Sequence, residues 1–89
     1  MIPKKRMPTH PGEILAEEFI KPMSLSQTGL AEKMGVPVQR INTLVRGRRD
    51  MTPETAILLS RVLGTSPEFW MNLQMTLDLY RAQAELRVA

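Results

Sequence analysis

The chain has no cysteine. Neither a disulfide framework nor a thiolate metal site can be built from it. Histidine is represented once, by His10, and aromatics are scarce: one Trp, one Tyr and two Phe in 89 residues. With seven methionines beside so few rings, the core is expected to be aliphatic and helical. No segment approaches the ~20 apolar residues of a membrane span. Lys4-Lys5-Arg6 is basic, but no apolar run of signal-peptide length follows it. The expected location is therefore the cytoplasm. Catalysis finds little to work with, since carboxylate–histidine metal spacing and a phosphate loop are both missing. Glu17 and Glu18 are adjacent, hence on different helical bearings. The expectation is a protein that is not an enzyme and holds no metal or cofactor.

What is present is one small domain's worth of chain, of a size that often gains stability by dimerising. The net charge is only +3, but it is unevenly spread. Residues 26–49 hold Lys33, Arg40, Arg46, Arg48 and Arg49 against Glu32 alone. Residues 11–25 and 65–89 lean acidic. One basic face is what a polyanion partner requires.

The chain is organised around residues 26–47. Ser26 is a good N-cap, and Leu30 and Met34 share one face of the helix that follows. Ala31 suits a close helix crossing. Gly35 supplies the positive φ that ends this helix, and Pro37 has its φ preset for the first turn of the next. There Ile41, Leu44 and Val45 form an apolar stripe, leaving Gln39, Arg40, Asn42, Thr43 and Arg46 outward, and Gly47 stops the helix. Two short helices joined by a glycine turn, the second basic and polar on one side, make a helix-turn-helix pattern. Gln39 can bond an adenine and Arg40 a guanine or a phosphate, each in bidentate fashion, while Thr43 lies on the same arc. Gln27 and Thr28, at the start of the first helix, and Asn42, Arg46 and Arg48 are candidates for phosphate. Val38 is expected to pack partly into the core, the alternative being a thymine methyl.

Around this unit, residues 1–8 read as a flexible basic arm and residues 9–89 as the domain. Thr9 or His10 caps a first helix that buries Ile14, Leu15, Phe19 and Ile20 and ends at Lys21-Pro22. Thr52-Pro53-Glu54 opens a fourth helix with Ile57, Leu58, Leu59, Val62 and Leu63 as a central core stripe, and Gly64 ends it. Ser66-Pro67-Glu68 opens the last helix, about 67–86. Phe69, Leu73, Leu77, Tyr80 and Ala84 line one side of it. A second apolar side has nothing left in the chain to cover it, and its simplest use is a two-fold partner. The expected dimer residues are Trp70, Met71, Met75, Leu79, Ala82 and Leu86.

The helix-turn-helix stretch, with its flanks His10-Pro11-Gly12-Glu13-Ile14-Leu15, Arg48-Arg49 and Gly64-Thr65-Ser66-Pro67-Glu68-Phe69-Trp70, resembles the lambda-repressor-like (xenobiotic-response-element type) family, and within it the HigA-type antitoxins. The resemblance covers roughly residues 8 to 82. One departure is Pro37, where that family commonly carries a capping serine or threonine. The resemblance implies an all-α, five-helix domain that is dimeric through its C-terminal helix. It also implies a protein that represses its own operon at an inverted-repeat DNA operator and neutralises a small HigB-like toxin, usually a ribosome-dependent messenger-RNA endonuclease. Alternatives are a plain repressor without a toxin and an interaction module that has lost DNA binding.

Overall fold

Five α-helices and no strand make up the described residues, 7–88, of the computed structural model. The arm expected over residues 1–8 lies outside them except for Met7 and Pro8. Helix α1, Pro11–Leu15, runs directly into a π-helical turn, Ala16–Ile20. His10 is its cap, with Nδ1 accepting from the Gly12 amide at 2.9 Å. Pro22 has no amide to continue the ladder, and the exit is closed by wide bonds from Lys21 N to the Ala16 carbonyl and from Leu25 N to the Ile20 carbonyl, both 3.0 Å.

Helix α2, Gln27–Met34, is capped by Ser26 Oγ, which accepts from Gly29 N at 2.9 Å. Gly35 takes φ 72° and ψ 33°, a left-handed conformation that strains any side chain with a Cβ. Val36 N then bonds back to the Ala31 carbonyl at 3.0 Å. Helix α3 is Val38–Val45, one residue later than the sequence pattern suggests. Pro37 has the expected φ of −63°, but its ψ of 144° is extended, so it precedes the helix rather than opening it. Helix α4, Pro53–Leu63, and helix α5, Pro67–Val88, begin at the expected hydroxyl caps. Thr52 Oγ1 accepts from Thr55 N at 3.3 Å and Ser66 Oγ from Phe69 N at 3.0 Å.

Leu15, Leu30, Ile41, Leu44, Leu59 and Trp70 are completely buried and form one core drawn from all five helices. Each contributes about 1.5–3 kcal/mol by leaving water. Trp70 corrects the expectation that it faces a second copy: it is 0 % exposed, and its Nε1 donates to Thr65 Oγ1 at 2.7 Å. The fully buried stripe of α5 is Trp70, Gln74 and Leu77; of the expected side, Leu77 is buried, Leu73 packs against the core partly buried, and Phe69 stays partly exposed. The largest side chain gains most from burial, and its N–H has a partner inside. A polar residue in the middle hid that stripe from an apolar count. Phe69 remains partly exposed and, with Phe19, packs against Trp70 at ring-centroid distances of 4.9 and 5.3 Å. This aromatic contact fastens the end of the first helix to the start of the last.

Three further expectations change. Met71 is half-buried against the core, so only part of it is available to a partner. Ile57 is exposed, and Thr55, Ala56 and Leu59 form the buried face of α4. Val38 is 44 % exposed rather than packed, because it sits in the first turn of α3 just after the exposed Gly35 and Pro37. Met75, Leu79, Ala82 and Leu86 do lie exposed along α5. No helix among the described residues is long and apolar enough to cross a membrane.

Candidate nucleic-acid interface

Helix α3 is held from beneath by Ile41 and Leu44, both fully buried. Its last turn is also the seat of α1. A Cβ built on Gly12 would lie 1.7 Å from the Leu44 carbonyl oxygen and 3.0 Å from the Val45 Cα. Only a residue with no side chain lets these two backbones meet, and they fix the tilt of α3 against the body. Helix α2 is tied to α3 by a bond from Asn42 Nδ2 to Gln27 Oε1, 3.3 Å.

The C-terminus of α3 is closed twice. Gly47, at φ 75°, lets its own amide reach the Leu44 carbonyl at 3.0 Å and the Arg48 amide reach the Thr43 carbonyl at 2.9 Å. The chain then folds back so that Arg49 Nε donates to Thr43 Oγ1 at 3.2 Å. The Thr43 hydroxyl in turn donates to the Gln39 carbonyl at 2.9 Å. Its single proton is therefore engaged within the helix, and the hydroxyl is an anchor for Arg49.

The residues proposed for DNA contact thus divide. Gln39, Arg46, Arg48 and Thr28 are exposed. Gln27 and Asn42 are brought together as a pair, and Arg40 is half-buried with Nη1 4.0 Å from Glu54 Oε1. Helix α3 has no side-chain cap, so the positive end of its dipole is presented by Pro37, Val38 and Gln39, the last two exposed like the proline. Reading by residue type overlooked Arg49 and Glu54. Arg49 was visible as a cation next to Arg48, but its return to Thr43 depends on the bend at Gly47. Glu54 reads simply as a first-turn acid.

His10 supports this surface from the side. Its Nδ1 must be unprotonated to cap α1, its ring carbons lie 3.8 Å from where a Gly47 Cβ would be, and its Nε2 is buried without a hydrogen-bond partner, 3.9 Å from Asp50 Oδ1. Burial pushes its pKa below the ordinary value, assisted by Arg81, although Asp50, the Arg49 backbone and Glu13 pull the other way. The folded state therefore favours neutral imidazole. Its contribution to stability is complete above the unfolded value of about 6.5 and is lost as pH falls from there through the lowered folded value. The melting temperature is expected to fall between pH 7.5 and pH 5, and in His10→Asn, whose amide oxygen still caps but does not titrate, the fall should be smaller. Identical pH profiles for the two proteins would remove His10 from the account.

A sequence profile described as helix-turn-helix matches residues 17–70. The chain belongs to this helix-turn-helix family. Antitoxin HigA-1 of Vibrio cholerae is 42 % identical over 76 residues, covering 85 % of this chain and 71 % of the relative. Among solved structures, antitoxin GraA superposes with a TM-score of 0.85 at 44 % identity, over 90 % of this chain and 86 % of that one. The Pseudomonas aeruginosa antitoxin HigA, solved with the higBA promoter, gives 0.84 at 41 % identity, over 88 % and 85 %. In this helix-turn-helix protein α2 is the scaffold helix and α3 takes the position of the recognition helix, held at its C-terminal end by the Gly12 contact and the Gly47 bend.

Proposed function

We propose that this helix-turn-helix protein is a DNA-binding antitoxin that represses its own operon and acts without catalysis. The observation that carries the reading is the α2–α3 corner. Its buried face is locked to the body, while Gln39, Arg46 and Arg48 and the uncapped start of α3 face outward. Gln39 reads an adenine in the major groove, and Val38 beside it is exposed for a thymine methyl. Gln27 and Asn42, linked to each other, keep N–H groups for the phosphate backbone, as do Thr28, Arg46 and Arg48. Arg40 leaves Glu54 for a phosphate or a guanine.

The exposed Met75, Leu79, Ala82 and Leu86 on the outer turns of α5, with the free part of Met71, form the seat of a second copy. Two copies place two recognition helices about one turn of DNA apart, roughly 34 Å, so the operator is an inverted repeat. Likeness to proteins named antitoxins supports a small toxin as the protein partner. A toxin encoded next door that co-purifies with this chain distinguishes the antitoxin from a plain repressor.

The test is selection of bound duplexes from a random pool, together with sedimentation of the pure protein. Gln39→Ala is expected to weaken the selected duplex by about 1–3 kcal/mol and relax preference at one base pair. Arg48→Ala should weaken all sequences alike and lower the salt slope by about one. A Gln39→Ala protein that loses affinity equally for selected and random DNA would show that Gln39 does not read a base. A chain that sediments as a monomer at all concentrations and enriches no duplex would sink the whole reading.

A further inference from the structure

We propose that Gln74 and Arg81 of α5 are positioning residues for the Arg48-Arg49 segment, so that the helix assigned to the second copy also aims the cations of the DNA-facing loop. This rests on the operator-binding reading above.

Gln74 is 3 % exposed and lies between Trp70 and Leu77 in the buried stripe of α5. A buried amide is costly unless both its ends are bonded, and here both are. Oε1 accepts from the Met51 backbone amide at 2.7 Å, and Nε2 donates to Asp78 Oδ1 at 2.9 Å. Those two partners, a donor on one side and a carboxylate on the other, fix which way the amide points. One residue earlier in the loop, Asp50 Oδ1 lies 3.4 Å from Arg81 Nη1, and the same nitrogen is 4.0 Å from Asp78 Oδ1.

Helix α5 therefore grips Asp50 and Met51, the two residues that directly follow Arg48 and Arg49. On the other side the segment is pinned by the bond from the Arg48 amide to the Thr43 carbonyl. The two exposed arginines are suspended between two fixed points, one on α3 and one on α5. A leucine at position 74 would fill the stripe equally well, but it would leave the Met51 amide buried without an acceptor. The loop would then lose its C-terminal anchor while the core kept its volume.

The probe is a duplex selected from a random pool by the wild-type protein, compared with an unselected duplex of the same length. Gln74→Leu is expected to keep its helical content and oligomeric state but bind the selected duplex about tenfold more weakly. The unselected duplex should weaken in proportion, and the salt slope should become shallower by about one. Gln74→Glu combined with Asp78→Asn reverses donor and acceptor between the two side chains and still offers an acceptor to Met51; it is expected to restore affinity and slope. Arg81→Ala, at an exposed site, should cost about threefold, and clearly less than that in an Arg48→Ala background, because part of its effect acts through the Arg48 contact.

A folded Gln74→Leu protein with wild-type affinity and slope overturns the positioning role, as does a double substitution that fails to restore either. If Gln74→Leu does not fold, the Arg81 and Arg48 cycle decides: additive losses overturn the proposal and non-additive losses support it. Wild-type protein that enriches no duplex defeats the operator-binding reading itself, an outcome separate from these.

Discussion

Trp70→Ala is expected to destabilise the domain by about 3–5 kcal/mol. A small domain has roughly 5–15 kcal/mol in all. Three losses coincide at this position. The side chain is 0 % exposed, it packs against Phe19 and Phe69, and its Nε1 donates to Thr65 Oγ1. Removing the ring leaves a cavity where α1, its π-helical turn and α5 meet. Trp70→Phe keeps most of the volume and loses the hydrogen bond, so its cost should be smaller, about 1–3 kcal/mol. Urea titration followed by circular dichroism measures both. The same experiment separates a core tryptophan from an interface one. An interface residue changed to alanine would give a protein that sediments as a monomer with little loss of urea resistance, whereas a core residue lowers the urea midpoint at any concentration. A monomeric Trp70→Ala protein with wild-type urea resistance would reverse the assignment.

Gly12→Ala should cost about 3 kcal/mol, at the upper end of overpacking effects, and lower the melting temperature by about 12–24 °C. Propensity alone argues the opposite, since alanine is favoured over glycine within a helix by about 1 kcal/mol. Geometry outweighs it. The new Cβ would stand 1.7 Å from the Leu44 carbonyl oxygen, and that neighbour is backbone, which cannot rotate out of the way. Either α1 lifts away from α3 or the last turn of α3 gives way. Both disturb the Gly47 bend and the arginines beyond it, so DNA affinity should fall with stability. Glu13→Ala, at the exposed position next door, is the control and should change stability by no more than about 0.5 kcal/mol. A Gly12→Ala protein that melts with the wild type would mean that α1 does not rest on α3 in this way.

Much of this architecture was legible in local chemistry. Ser26, Thr52 and Ser66 cap the helices they precede, because a hydroxyl there satisfies an amide the helix cannot. Gly35 and Gly47 end α2 and α3 in left-handed geometry that other residues avoid. The polar, basic side of α3 also followed from spacing, since Ile41 and Leu44 could be buried only by turning Gln39 and Arg46 outward.

What escaped the sequence was set by contacts between residues far apart in the chain. Nothing local marks Gly12 until the Leu44 carbonyl arrives against it, or Gln74 until Met51 presents a buried N–H. Phe69 and Trp70 are neighbours with similar appetites for burial, and only the position of Phe19 and Thr65 chooses the tryptophan. The sequence by itself determined where α2 to α5 lie to within about two residues and which side of α3 is polar, because caps, turns and periodicity act over a few residues. Only the tertiary structure decided which side of α5 is core, how α3 is tilted and what holds the arginine loop, because those outcomes depend on atoms that folding brings together from opposite ends of the chain.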